Sequence, residues 1–141
     1  MAPFQEFDML LAGDYSDDYW SDDVVLTARD LVERFSSSDW LTLQSAWRSR
    51  LPRWQHRCAD TLSRDLEGKA VPILLEMVEA DDDELVITAA DSLSATDADV
   101  SSSTLTSKAL SNLHKLAKQG PVNQLTVDQL MRKLNVQALL P

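Results

Sequence analysis

The sequence predicts an all-α chain, a short α-solenoid of three helix pairs with a period of about 31 residues, closed by a helical cap at each end. Three observations predict it. The stretch CADTLS at 58–63 returns as AADSLS at 89–94, and at the same interval Ala28, Ala59 and Ala90 fall in register, as do Leu31, Leu62 and Leu93. A second series, Leu43, Leu74 and Leu105, interleaves with the first at the same period. The apolar residues around each recurrence sit three and four apart, the spacing of one helical face.

Taken in order, 3–11 is a short helix that caps the first unit. The span 22–35 is a helix whose stripe is Val24, Ala28, Leu31, Val32 and Phe35. Its partner, 38–50, carries Trp40, Leu43 and Trp47, with Ser38 or Asp39 able to cap it. The next pair is 52–66 and 69–80; Pro52 suits a first helical turn, where a missing N–H costs nothing. The third pair is 83–93 and 102–118, and the aspartates at 81–83 favour a helix N-terminus. A last helix over 126–134 caps the end. The organisation is one domain over 1–141, with a repeat core at about 22–118, an N-terminal cap at 1–21 and a C-terminal cap at 119–141. Small residues at 28, 59 and 90 let successive helices approach closely. The six alanines and leucines of the first series are the expected core.

The stretch VPILLEMVEADDDELVITAADSLS, residues 71–94, resembles a HEAT-like repeat: a leucine-rich helix, an acidic turn, then a helix with paired alanines and a late leucine. The resemblance covers about 22–118 and is best at 52–95. It departs from the family where Val86 and Ile87 stand in a region that commonly holds an arginine. The resemblance implies a stacked helical scaffold that binds another protein.

The formal net charge of −10 is segregated. Residues 1–39 hold ten acids and two bases, 81–105 seven acids and no base, whereas 106–141 holds one acid and five bases. An acidic field of this breadth argues against nucleic acid, which needs a basic stripe, and suits a basic protein partner. No apolar run is long enough to cross a membrane. The first ten residues carry acids in place of a signal peptide's basic region, and the lone Cys58 cannot form an internal disulfide, so a cytoplasmic location is expected.

Catalytic chemistry is not expected. Cys58 is at a core phase, and His56 and Asp60, each two residues from it, point to other faces. His114 stands alone and is expected at the surface or between helices. No Cys/His spacing suits a metal, no glycine-rich loop cradles phosphate, and ADDDE at 80–84 lacks the alternating ligands and glycine turn of a calcium loop. No cofactor is expected. Two concentrations of unusual residues remain. In WRSRLPRWQHR, 47–57, the tryptophans are at core phase and the arginines are expected to pair with acids on neighbouring helices. In GDYSDDYWSDD, 13–23, the aromatics either tuck under the first repeat unit or anchor a partner from a binding loop. The expected partner-binding residues are Asp14, Tyr15, Asp17, Asp18, Tyr19, Trp20, Asp22 and Asp23, together with Asp81, Asp82, Asp83 and Glu84 of the acidic turn.

These features resemble the small immunity proteins of bacterial polymorphic-toxin systems, which bind and block one cognate toxin, often a basic nuclease. A HEAT-like adaptor or assembly scaffold is the alternative. An enzyme such as a HEAT-like DNA glycosylase or a pigment lyase would need a basic concave face or a stronger nucleophile than Cys58 offers.

Overall fold

The computed structural model describes residues 1–63, 66–96, 100 and 105–134. Among these the chain is helical with no strand, and it forms eight helical rods. The all-α class is as the repeat predicts.

Helix α1, Pro3–Leu11, starts on a proline, and Gln5 accepts a hydrogen bond from the Ala2 N–H (3.1 Å) to close the first turn. It buries Phe4, Phe7 and Leu11. The second rod begins earlier than expected. Ser16 accepts from the Tyr19 N–H (3.1 Å), and α2, Asp17–Tyr19, runs through a π-turn, Trp20–Val24, into α3, Val25–Glu33. Much of the expected 13–23 loop is therefore helix, because a serine cap followed by two aspartates satisfies and complements a helix N-terminus. Helix α4, Ser37–Ala46, is capped by Ser36 and not by Ser38 or Asp39. Asp39 instead returns the bond, accepting from the Ser36 N–H (2.9 Å) while Ser36 Oγ accepts from the Asp39 N–H (3.2 Å), a capping box. A single 3-10 turn, Trp47–Ser49, ends this rod.

Helix α5, Pro52–Thr61, has Pro52 in its first turn, as expected, but ends before Leu66. Helices α6, Val71–Met77, and α7, Asp83–Ala95, follow, α7 capped by Asp82 through the Glu84 and Leu85 N–H groups (3.0 and 3.4 Å). Helix α8, Ser107–Ala117, is capped by Thr106, and 102–104, the start of its expected span, lie outside the described residues. Helix α9, Pro121–Lys133, begins five residues before the expected 126, on a proline after Gly120 at φ 150°.

Ala28, Leu31, Ala59, Leu62, Ala90 and Leu93 are all buried, none more than 3% exposed. Leu43 and Leu74 are buried as well, whereas Leu105 is half-buried. The buried alanines let α3, α5 and α7 lie side by side in one row, and α9 extends it beyond α7. Ser92 on α7 donates to the Ala59 carbonyl on α5 (2.6 Å), a bond made inside this packing. The other rods form a flanking row held by side chains. Glu76 on α6 accepts from Gln44 and Trp47 (3.0 Å each), and Asn112 on α8 donates to the Val78 and Ala80 carbonyls (2.8 and 2.9 Å). Helix α1 packs along α3 and against α4, while α9 packs along both α7 and α8.

Candidate functional site

Residues three and four apart on one side of each helix bury the core, so the residues out of phase with them line the other side of the row. There, a groove of about 750 Å³ crosses the rods in succession. Its α5 wall is Arg53, His56, Arg57 and Asp60, and its α7 wall is Glu84, Ile87, Thr88 and Asp91. These two sets are related position by position through the same 31-residue interval that relates the core. Asp17, Trp20 and Ser21 close one end and Val122, Asn123 and Thr126 of α9 the other.

The floor at the N-terminal end is built on Arg57. Its guanidinium, only 4% of the residue being exposed, donates to the carbonyls of Leu11 (2.8 Å), Gly13 (2.7 Å) and Tyr15 (3.2 Å) and lies between the Tyr15 and Trp20 rings, 5.1 and 5.4 Å from their centroids. Burial, then the neighbouring Arg53, draws its pKa below the ordinary arginine value, against the acids nearby; a guanidinium stays charged at neutral pH regardless. The Tyr15 ring lies so close to Gly13 that a Cβ there would stand 2.3 Å from it, and a larger residue would have to displace the ring. Trp20 donates from its indole N–H to Asp60 (3.0 Å) and is 5% exposed. The expected role of Trp20 as a surface anchor is therefore corrected: its ring is committed to Arg57 and Asp60. Tyr15 is half-buried in the same cluster, and Tyr19, half-exposed, packs its ring on Tyr15 (5.9 Å). Of the two readings of 13–23, tucking under the first unit describes Tyr15 and Trp20.

The acids of this segment are outside. Asp14, Asp17, Asp18, Asp22 and Asp23 are all exposed, and Asp14 reaches Arg53 at 3.9 Å. The acidic turn is split by its neighbours. Asp81 pairs with Lys108, which holds its carboxyl below the usual range, and Asp83 is 3.5 Å from Lys115; both lysines belong to α8. Asp82 is half-buried, caps α7 and accepts from His56 (2.9 Å); burial would raise its carboxyl, but His56 and the two helix N–H groups outweigh that and lower it. Glu84 alone of this turn lines the groove, 3.6 Å from the other His56 nitrogen. Of the four carboxylates expected to bind a partner at 81–84, Asp82 is committed to capping α7 and to His56, while Asp81, Asp83 and Glu84 stay at least partly exposed beside Lys108, Lys115 and His56.

Arg50 forms a two-point pair with Asp8 (2.8 Å at both contacts) and Arg48 meets Glu76 at 3.4 Å, as the expectation of interhelical pairing requires. Arg57 departs from it, taking carbonyls and rings instead of an acid. Trp47 and Trp54 are buried, their indoles donating to Glu76 (3.0 Å) and to the Asp8 carbonyl (3.2 Å). Cys58 is fully buried and its thiol is pushed up by that burial, so it holds no thiolate for chemistry. His114 is exposed. Among the described residues no group of His, Cys, Asp and Glu is arranged to hold a metal ion, and no helix is long and apolar enough to cross a membrane.

Sequence reasoning named Asp17, Trp20 and Glu84 of the groove and missed Arg53, His56, Ile87, Asp91 and Val122 as its lining. One signal was present. Asp60 and Asp91 recur at the repeat interval on the face away from the core, where packing does not demand repetition. No protein-family model matches the chain, and no curated protein or solved structure matches it either. Fold and site together define an all-helical chain with a charged groove running across a row of helices.

Proposed function

We propose that this chain is an immunity protein, a cytoplasmic binding protein that neutralises one cognate bacterial toxin by occupying a basic surface of it. The observation that carries the reading is the set of exposed carboxylates: Asp17, Glu84 and Asp91 line the groove, and Asp14, Asp18, Asp22 and Asp23, all exposed, belong to the same N-terminal segment as Asp17. Carboxylates so placed raise the encounter rate with a basic protein, and a groove that crosses several rigid helices gives it a shaped seat. The half-exposed Tyr19, its ring tilted against Tyr15, is a contact of low conformational cost beside them.

The test is rescue. Cells expressing the toxin encoded beside this chain should survive when the chain is co-expressed, and the purified pair should form a complex. Asn at Asp17, Asp18, Asp22 and Asp23 together should slow association and flatten its salt dependence, because rim charges act on encounter. Failure to rescue, with the chain folded and present in excess, overturns the toxin reading. The second reading, a HEAT-like adaptor or scaffold that joins other proteins through the same groove, predicts a complex without protection.

A further inference from the structure

The two successive stretches of the groove, on α5 and on α7, carry opposed charge. On α5, Arg53 and Arg57 outnumber Asp60, whose carboxylate already accepts the Trp20 indole N–H; on α7, Glu84 and Asp91 stand with no base. The two arginines differ in availability. Arg57 is spent on three carbonyls and two rings. Arg53 has a side chain 58% exposed, and its ion pair with Asp14 is 3.9 Å long to a carboxylate that is fully exposed. Such a pair contributes little in water and yields readily to a competing carboxylate. Ile87 stands between the two acids of α7, and α9 adds the 76% exposed Val122 beside Asn123 and Thr126; the two apolar side chains suit the methylene stem of a long cationic side chain.

We propose that the groove seats a protein segment of mixed charge, one that sets a lysine or arginine against Glu84 and Asp91 and a carboxylate against Arg53. This rests on the groove being a protein-binding site and names the kind of segment it selects. A purely basic stretch gains the α7 wall but places a like charge beside Arg53, which is unfavourable. This polarity, basic at α5 and acidic at α7, also fixes which way the segment runs, since turning it end for end exchanges both pairs.

The experiment uses two synthetic peptides of equal length as probes, one of lysine and serine, the other with part of its lysine replaced by glutamate. Each is titrated into the full isotope-labelled chain and followed by amide shifts in NMR spectra at low and at physiological ionic strength. The mixed peptide should bind about fivefold more tightly than the basic one, the ratio one partly exposed ion pair supplies, with shifts at residues of α5 and α7 that line the groove. Arg53→Glu should reverse that ranking, Arg53→Gln should abolish the difference, and Asp91→Lys should weaken both peptides. Circular dichroism establishes that each variant is folded; all three changes are at exposed side chains. Equal or tighter binding of the basic peptide by the unaltered chain overturns the proposal, as does a ranking unmoved by Arg53→Glu or the absence of binding by either peptide. The outcome is separable from that of the rescue test. A chain that ranks the peptides as stated yet fails to protect cells loses the toxin reading and keeps this one.

Discussion

Replacing Arg57 by Ala removes the donor on which the turn from α1 to α2 is wound. The guanidinium makes three hydrogen bonds, at 2.8, 2.7 and 3.2 Å, to carbonyls contributed by Leu11, Gly13 and Tyr15. A hydrogen bond to a charged group contributes about 1.5–3 kcal/mol, but three made by one side chain are not additive, and the turn can lift so that water meets its carbonyls. The lost contact with the Tyr15 and Trp20 rings adds to the cost. Together these give a loss of about 3 kcal/mol, and at about 3 °C per kcal/mol for a chain of this size, a Tm lower by about 10 °C. Arg57→Lys keeps the charge but not the planar fork, so it should recover about half of that. Urea unfolding followed by tryptophan fluorescence and by circular dichroism measures both variants. A loss below about 1 kcal/mol for Ala, or a lysine variant as stable as the parent, would refute the view that this side chain organises the turn.

Three further outcomes are expected. Leu62→Ala, at a fully buried repeat position, should lower stability by about 2–5 kcal/mol in the same urea assay, and a change under about 0.5 kcal/mol would mean the core phase is wrong. Cys58 should resist an aromatic disulfide reagent in the folded protein and react on unfolding, since burial pushes its thiol up; Cys58→Ala should cost packing alone, as Ala89 already stands at the equivalent position. Burial tends to raise the Asp39 carboxyl, but the Ser36 N–H and hydroxyl and the Phe4 N–H outweigh it and lower its pKa. A carboxyl depressed in the folded state adds stability that is present above its unfolded pKa of about 4 and is lost as pH falls through the folded value. Asp39→Asn should therefore lower Tm at pH 7 and show a shallower further fall below about pH 4; unchanged acid behaviour would contradict the assignment.

The sequence by itself determined the helical class, the core phase and some of the local caps, though not Ser16 or Ser36. Ala28, Leu31, Ala59, Leu62, Ala90 and Leu93 declare themselves by recurrence because stacked units bury equivalent faces and each face must be filled the same way. Pro52 and the aspartates before α7 are local signals, legible for the same reason that turns are: their partners lie within four residues. The Asp60 and Asp91 recurrence belonged to this legible part as well, although its meaning, a groove face, required the rods to be placed side by side. Tertiary structure decided the rest, since it depends on partners 26 to 46 residues away. Which base faces each aspartate of the acidic turn was settled by where α8 sets Lys108 and Lys115, and whether Trp20 faces solvent by the approach of Asp60 and Arg57. Helix α9 joins the row with no repeat signature at all, Pro121 and Gln124 standing where Ala and Leu recur in the earlier units. An end unit has a neighbour on one side only, so its sequence is free of the requirement that makes the inner units alike.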